Sequence, residues 1–278
     1  MSSSIILSIY GTSIGMETMA ANWIDVSDLS IYHLLLLEKV QIAWLFDFIR
    51  EKDIGTVLWA HPLIQWYFEK KCPEITDTMK NILKNHNHEA SNNEIREAEL
   101  SILRRIADWI VYATDPKIYD NLEFLKWDSH ELTSITDYNN KIVLDIGSGT
   151  GRLAFTVADQ AKTIFCIEPV SNLRDYIKEK ANKKRLNNIF VMDGLITSIP
   201  FPKNFSDITI AGHVFGDELA KEYRELMRVT KKSGMIILCP GNIDKDNATH
   251  DFLIEKGFMW SRFEEPNDGM KRKYWKEK

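Results

Sequence analysis

The 278-residue chain has 44% hydrophobic and 27% charged residues, which is the composition of a globular protein with one large domain or two moderate ones. Residues 1–140 hold 12 Lys and Arg against 21 Asp and Glu, and this acidic first half argues against a nucleic-acid-binding arm. No apolar run reaches the roughly 18–20 residues that span a bilayer, so neither nucleic acid nor membrane is an expected partner.

The N-terminal residues 1–15 contain a short apolar patch without a basic region before it, which argues against a signal peptide. Met1 and Met16 are both candidate starts, and the sequence does not decide between them. The three cysteines lie far apart without a C-x-x-C pair, so neither a disulfide framework nor a zinc site is expected. These features predict a cytoplasmic protein.

Residues 24–137 have a helical pattern throughout. Apolar residues within 28–51 recur at the spacing of a buried helix. Ser91 and Glu94 have the spacing of a capping box, in which each side chain satisfies a backbone amide of the other residue, and this predicts the start of another helix. The polar stretch 84–93 predicts a loop before it.

The pattern changes after Asn140, where short apolar runs alternate with helical segments. This alternation indicates βαβ units and a mainly parallel sheet, and two final runs around a Pro-Asn-Asp-Gly turn predict terminal antiparallel strands. The sequence therefore predicts a helical region at 1–138 and an α/β domain with seven strands at 139–278. The predicted strands are KIVLDI, TIFCIE, NIFVMD, DITIAG, GMIILCP, GFMWSRFEE and MKRKYWKEK, and the predicted helices between them span 151–159, 171–184 and 217–229.

A glycine-rich turn follows the first predicted strand, in the run VLDIGSGTG. Gly147, Gly149 and Gly151 allow a tight turn and a close approach of the backbone to a ligand, because no Cβ intervenes. The amino terminus of the next helix adds outward-facing amides and partial positive charge. A dinucleotide site has the spacing G-x-G-x-x-G, whereas this turn reads D-x-G-x-G-x-G from Asp145 and continues with Arg152. The spacing disfavours a dinucleotide.

This pattern resembles the first motif of the Rossmann-like, class I S-adenosylmethionine-dependent methyltransferases. The stretch IPFPKNFSDITIAG (199–212) is similar to the small-molecule branch of that family, and RVTKKSGMIILCP (228–240) is similar to its turn into strand five, with Gly234 where two glycines are usual. The resemblance covers nearly half the chain. It implies a Rossmann-like sheet, S-adenosyl-L-methionine as methyl donor and S-adenosyl-L-homocysteine as product.

The resemblance also implies roles for individual residues. In the family the glycine turn packs against the methionine part of the donor, and the first acidic residue helps to hold its amino-acid group. Glu168 ends the second predicted strand, where a carboxylate can accept hydrogen bonds from both ribose hydroxyls. Asp193 is expected near the adenine amino group, although an Asp before a glycine also suits a simple turn. The predicted donor-binding residues are Asp145, Gly147, Ser148, Gly149, Gly151, Glu168, Pro169, Asp193, Gly194 and Ala211.

Acceptor contacts in this family follow the fourth strand, where the sequence reads AGHVFGD (211–217). His213 is the candidate catalytic residue, because imidazole can act as a base near neutral pH; the alternative is a structural histidine. The simplest role for Asp217 is to cap the following helix. No N/D-P-P-Y/F/W motif follows this strand, and no Pro-Cys pair supplies a cytosine-attacking thiol. The acceptor is therefore expected to be a small molecule or, as an alternative, a protein.

The helical region is expected to form a lid and acceptor pocket, although helically spaced aromatic residues more often form a core. His86, His88 and Glu89 lie in a polar loop without further ligands, so no metal is expected. The candidate aromatic residues are Trp59, Trp66, Tyr67, Phe68, Trp109, Tyr112, Tyr119, Phe124 and Trp127.

The leading hypothesis is therefore an enzyme that transfers a methyl group from S-adenosyl-L-methionine to an O, N or C atom of a small molecule. Two alternatives come from other classes, a donor-binding sensor or scaffold without catalysis and a nucleotide-cofactor oxidoreductase. The sequence does not identify the acceptor or the need for a general base, and it leaves homo-oligomerisation open.

Overall fold

The computed structural model describes residues 24–87 and 89–278, which divide into one unit at 24–118 and another at 119–278. The predicted start at Met1 or Met16 lies outside the described residues. Residues 119–138, which the sequence pattern groups with the helical region, belong to the second unit.

The first unit is helical, as predicted, and is built from short helices. None of the helices in the described ranges has the length and apolarity needed to cross a bilayer. Its α-helices are α1 (Lys39–Phe48), α2 (Glu51–Ala60), α3 (Pro62–Lys71), α4 (Thr76–Asn85), α5 (Asn92–Arg105) and α6 (Ala107–Thr114), with 3-10 helices at Ile31–Leu36 and Pro73–Ile75, and α7 (Pro116–Asp120) at the unit boundary.

Of the two helix predictions made for this unit, one is confirmed and one is wrong. The capping box is confirmed at the start of α5, where Glu94 accepts from the Ser91 amide at 2.8 Å and Ser91 accepts from the Glu94 amide at 3.3 Å. The prediction of one helix within 28–51 is wrong. The chain becomes extended at Leu37 and Glu38, because a second capping box, between Glu38 and Gln41, starts α1 afresh.

Buried aliphatic and aromatic side chains form the interior of the first unit. Phe68 and Trp109 are buried, so the core interpretation is confirmed for these two aromatic residues, whereas Trp66 is 55% exposed. His86 hydrogen-bonds the Thr56 hydroxyl at 3.0 Å. The most deeply buried residues include Leu34, Ile42, Leu45, Ile54, Leu58, Ile64, Met79 and Leu103.

A single seven-stranded sheet organises the second unit. The strands are β1 (Ile142–Ile146), β2 (Thr163–Ile167), β3 (Ile189–Met192), β4 (Ser206–Ala211), β5 (Thr230–Ile243), β6 (Met259–Glu265) and β7 (Gly269–Glu277). Their order is β3-β2-β1-β4-β5-β7-β6, in which β1 to β5 are parallel and β7 is antiparallel to both of its neighbours. The predicted Rossmann-like, mainly parallel sheet with an antiparallel terminal strand is confirmed.

Helices cover both faces of this sheet, as a parallel sheet requires. One hydrophobic cluster joins the sheet to α8 (His130–Thr133), α9 (Arg152–Val157) and α10 (Ser171–Lys183). The other joins it to α11 (Leu219–Val229) and α12 (Ala248–Glu255). The core therefore lies in two layers, and the ends of the strands remain the place for a ligand.

The carboxyl ends of the strands meet at one edge of the sheet. Ile146 of β1 is paired with Ile167 of β2 and with Ala211 of β4, so the residues that follow these three strands are neighbours. Because β6 is antiparallel to β7 and β7 to β5, β6 runs in the same direction as the parallel strands. Glu265 at the end of β6 therefore reaches the same edge.

Candidate functional site

The glycine turn begins directly after β1 and is packed against its neighbours. The Gly147 amide donates to the Ile167 carbonyl at 2.8 Å, and φ is +66° at Gly147, +54° at Gly149 and +84° at Gly151. A Cβ on Gly147 would lie 2.4 Å from Cγ1 of Val214, whereas a Cβ on Gly149 would have Tyr119 as its nearest neighbour at 3.4 Å. Gly147 is thus required for packing, and Gly149 has room for a ligand beside its backbone.

Glu168 connects this turn to the end of β2. Its Oε2 accepts from the Gly149 amide at 2.9 Å and its Oε1 from the Val170 amide at 2.9 Å. Each carboxylate oxygen has two lone pairs, so both oxygens can accept a further hydrogen bond. These free lone pairs are compatible with the predicted hydrogen bonds from ribose hydroxyls, which stay a prediction.

Burial raises the pKa of Glu168 to about 7, against the opposing effect of the two amide hydrogen bonds. The folded protein therefore keeps this proton between about pH 4.5 and pH 7, where the unfolded chain has already lost it. Folding stability from this group is fully present below that window and is lost as pH rises through it.

We therefore expect the free energy of unfolding of the wild type, measured relative to Glu168→Gln, to fall as pH rises from about 5 to 8. The glutamine variant removes the titrating group and keeps the shape of the side chain, so the other titrating residues cancel in the difference. Urea denaturation at four pH values measures it. If the free energy of unfolding of the wild type relative to Glu168→Gln rises with pH, the pKa of Glu168 is not raised by folding.

Asp145 connects the end of β1 to the start of α9, on either side of the glycine turn. Its Oδ2 accepts from the Ala154 amide in the first turn of α9 at 3.1 Å, where the helix dipole favours a negative charge. Its Oδ1 is buried and has no hydrogen-bond partner within the described residues, and burial raises the pKa of this carboxyl to about 7. The predicted contact with the amino-acid group of the donor stays a prediction.

The remaining predicted donor-binding residues surround the ends of β2, β3 and β4. Arg174 donates to the carbonyls of Glu168 and Pro169 at 2.8 and 2.7 Å and lies 3.4 Å from the exposed carboxylate of Asp193. Ser148 is buried and its hydroxyl donates to the Asp145 carbonyl. Ala211 ends β4, and Gly194 packs against Ile167 and Pro200, so a Cβ there would overlap both.

His213 lies two residues beyond β4, in the left-handed region with φ +59°. Its backbone amide donates to the Pro240 carbonyl at 2.9 Å, and its Nε2 lies 2.9 Å from Oε1 of Glu265. Glu265 is completely buried at the end of β6. The structure therefore joins the predicted catalytic histidine to a carboxylate that the sequence analysis did not identify.

Asp217 does not cap the helix after β4, so that prediction is wrong. The cap is the buried carboxylate of Glu222, which accepts from the amides of Gly216, Asp217 and Glu218 at 2.8, 3.2 and 2.8 Å. These three amides precede α11, so Glu222 attaches the chain before the helix to its first turn. Burial raises the pKa of Asp217 to about 7, helped by the neighbouring Glu222 and Glu218.

An aromatic segment, residues 119–127, lies along the same edge of the sheet. The rings of Tyr119 and Phe124 are 5.9 Å apart, and Phe124 makes an edge contact with His213, also at 5.9 Å. Tyr119 is the residue nearest to Gly149 as described above. This segment thus links the glycine turn to His213 within the second unit.

Arg152 holds the aromatic segment in place. Its Nε donates to the Leu125 carbonyl and its Nη2 to the Trp127 carbonyl, both at 2.7 Å, and its guanidinium lies 4.7 Å from the centre of the Trp127 ring. The planar, forked guanidinium suits this set of contacts.

Arg152→Lys is expected to lower the free energy of unfolding by about 1–2 kcal/mol, because an ammonium keeps the charge and loses the forked pair of hydrogen bonds. Chemical denaturation measures the loss. The matched control is Arg224→Lys on the exposed face of α11, for which about 0–0.5 kcal/mol is expected. Equal losses in the two variants would show that the fork does not stabilise the segment.

The residues at this edge of the sheet lie in a part of the chain that is similar to known proteins. Residues 144–238 match the family model of the methyltransferase domain, a range that contains the glycine turn, Glu168, Asp193 and His213. We therefore identify residues 144–238 as a methyltransferase domain.

Curated proteins are similar to part of this chain. An uncharacterized methyltransferase of Bacillus subtilis is 28% identical over 114 residues, which cover 40% of this chain and 45% of that protein. One of Anoxybacillus flavithermus is 27% identical over 165 residues, which cover 55% and 71%. The chain spans about half the length of several of the curated relatives it matches.

Among solved structures, a SAM-dependent methyltransferase from Aquifex aeolicus aligns with a TM-score of 0.44 at 19% identity, covering 58% of this chain and 97% of that one. A putative S-adenosyl-L-methionine-dependent methyltransferase from Methanococcus maripaludis aligns with a TM-score of 0.47 at 17% identity, covering 59% and 90%.

The site also contains residues that the sequence analysis did not identify. Arg174 has a local signal, since it lies in the first turn of α10, seven residues after the end of β2, and its side chain reaches back to the Glu168 carbonyl. Glu265 has none, because its approach to His213 depends on the order of the strands. The suggested metal cluster includes His88, which lies outside the described residues, and within them no group of three metal-binding side chains is found.

Proposed function

We propose that the chain transfers a methyl group from S-adenosyl-L-methionine to an O, N or C atom of a small-molecule acceptor. The observation that carries the proposal is the hydrogen bond from the Gly149 amide to Glu168, which joins the glycine turn of β1 to the carboxylate of β2. This pairing supports a ligand with a ribose at the end of β2 and an amino-acid part at the turn.

The residues present fit such a donor. The open side of Gly149 supports a ligand against the backbone, and Glu168 retains lone pairs for ribose hydroxyls. Arg174 fixes the ends of β2 and β3 on either side of the predicted adenine position. The donor supplies an electrophilic methyl on a sulfonium, so the protein contributes mainly by holding acceptor and donor in line.

The acidic first half and the absence of the N/D-P-P-Y/F/W sequence after β4 support a small acceptor over nucleic acid. A protein acceptor and a donor-binding scaffold without catalysis are the alternatives. The lid role of residues 1–138, the cytoplasmic location and homo-oligomerisation stay predictions.

Two measurements test the proposal. Calorimetry measures binding of S-adenosyl-L-homocysteine, and a turnover assay with S-adenosyl-L-methionine and a panel of small-molecule acceptors measures the release of S-adenosyl-L-homocysteine. We expect binding and turnover with at least one acceptor class. Binding without turnover on any small molecule would favour the scaffold or a protein acceptor, and no binding would refute the proposal.

A further inference from the structure

The edge strand β3 is covered by a helix on one of its two faces. Ile189 and Val191 are partly buried on the face that α10 covers. Phe190 and Met192 alternate with them and lie on the opposite face, where they are 49% and 38% exposed. The connection from β3 to β4, residues 193–205, contains turns and no helix. It therefore leaves the apolar side chains of this strand open to solvent.

An aromatic cluster supports Phe190 from the neighbouring strand and the connection. Its ring is stacked on Phe165 of β2 at 5.6 Å. Phe165 in turn lies 4.9 Å from Phe201 and 5.4 Å from Phe205. Phe190 is thus positioned by its neighbours and still presents about half of its surface to solvent. A rigid, exposed aromatic side chain of this kind is typical of the anchor residue of an interface.

The backbone of β3 also has an outer side. The carbonyls of Asn188 and Met192 face β2, where they accept from backbone amides at 2.8 and 3.0 Å. Because alternate residues of a strand direct their backbone groups to opposite sides, the amides and carbonyls of Ile189 and Val191 face away from β2. Since β3 is the last strand of the sheet in the described ranges, these groups have no strand to pair with there.

The two edges of the sheet differ in their protection against an added strand. Exposed charged side chains commonly prevent pairing at an edge. On β6, the other edge strand, Arg262 and Glu264 are such exposed charges. The four residues of β3 are all apolar. β3 is therefore the edge that favours an added strand.

The charges at the two ends of β3 determine which strand fits. Lys184 and Arg185 precede the strand and are exposed, and Asp193 follows it with 75% of its side chain exposed. An antiparallel neighbour places its beginning beside the end of β3, so a copy of β3 itself brings basic and acidic ends together twice. A parallel copy would place like charges together. The charge pattern of β3 is thus complementary to its own antiparallel copy.

We propose that two copies of the chain associate through β3, as an antiparallel pair about a twofold axis at Phe190. In this register Phe190 lies opposite Phe190 of the partner subunit, and the backbone of Ile189 pairs with Val191 of the partner subunit. Arg185 of the partner subunit then comes within reach of Asp193. The two seven-stranded sheets become one continuous sheet.

The inference concerns assembly and does not depend on the methyl donor. A ladder of four residues from each copy is short, so the dimer should dissociate on dilution. Cross-strand aromatic pairs and opposite charges stabilise such a pairing. Sedimentation velocity of the full chain over a wide range of protein concentration measures the equilibrium.

Two substitutions test the strand itself. Phe190→Lys places two ammonium groups opposite each other, and Val191→Pro removes an outward amide without removing a hydrogen bond to β2. We expect each to weaken dimerisation at least about tenfold. Met259→Lys on β6 is the matched control, because Met259 is an apolar residue on the other edge strand that is 57% exposed, and it should leave the dimer unchanged. A dimer that survives both β3 substitutions, or that is lost in Met259→Lys, would overturn the inference.

Charge reversal tests the antiparallel arrangement. Arg185→Glu places two carboxylates together at each end of the pair, so dimerisation should weaken at low salt. The double variant Arg185→Glu, Asp193→Arg restores opposite charges and should restore the dimer. If Arg185→Glu has no effect on the dimer at low salt, the antiparallel pairing is wrong.

Amide hydrogen exchange followed by NMR gives a readout at single residues. In the dimer the outward amides of Ile189 and Val191 should be protected, and dilution or Phe190→Lys should remove that protection. The inward amides of Phe190 and Met192 should stay protected in both states, which shows that β3 itself remains folded. A wild type that is monomeric at every concentration would overturn the inference. So would a dimer in which the Val191 amide exchanges as fast as it does in the monomer.

Discussion

Gly147→Ala is expected to lower the free energy of unfolding by about 2–4 kcal/mol, because two independent costs add at this position. The backbone at Gly147 has φ +66°, a conformation in which a Cβ is unfavourable. The new Cβ would also lie 2.4 Å from Cγ1 of Val214, so the segment after β4 must move. Urea denaturation measures the loss.

Gly269→Ala is the matched control for this prediction. Gly269 also has a positive φ, +78°, but its Cβ would meet no atom of residues 24–87 and 89–278 within 4 Å. The control therefore carries only the conformational cost, about 1–2 kcal/mol. If both variants lose the same stability, Val214 does not constrain Gly147, and the packing of the turn against β4 is not the reason for glycine there.

Glu168→Ala is expected to weaken binding of S-adenosyl-L-homocysteine by about 1–3 kcal/mol, through the loss of charged hydrogen bonds to the ribose. The substitution also removes the acceptor of the Gly149 and Val170 amides, so the turn itself loses its attachment to β2. Stability should fall as well, because these amides lose their partners. Calorimetry measures the affinity, and denaturation in the absence of ligand measures the second effect.

Asp175→Ala on α10 controls for the loss of a carboxylate near the same loop. Its side chain is 72% exposed and, in the part of the chain that the structure describes, pairs with Lys178 alone, so affinity and stability should stay within about 0.5 kcal/mol of wild type. Unchanged ligand affinity in Glu168→Ala would show that the ribose assignment is wrong, whatever the change in stability.

The sheet and its first turn could be predicted because their signals are local. Each of the five parallel strands contains a short apolar run, and Gly147 and Gly149 occur where a positive φ and a close approach are needed. Glu168 follows from the same logic, since it ends a strand that must lie beside the first. These features depend on residues close together in the sequence.

The parts that could not be predicted depend on distant contacts. Glu265 meets His213 only because β7 inserts between β5 and β6 and turns the end of β6 to the carboxyl edge. The start of α11 is held by Glu222 rather than Asp217, because the carboxylate of Glu222 reaches back from the helix to the amides of the three residues before it. The break at Leu37 and Glu38 likewise follows from a cap that competes with a continuous helix.

The central claim is that the turn at Gly149 binds the methyl donor. Calorimetry of the wild type and of Gly149→Ala with S-adenosyl-L-homocysteine and with NADH tests it most directly, because among the described residues the new Cβ meets Tyr119 alone, at 3.4 Å. We expect the wild type to bind S-adenosyl-L-homocysteine and not NADH, and Gly149→Ala to bind at least about tenfold more weakly, a loss of about 1.4 kcal/mol. Binding of NADH without S-adenosyl-L-homocysteine, or an unchanged affinity in a folded Gly149→Ala, would contradict the account.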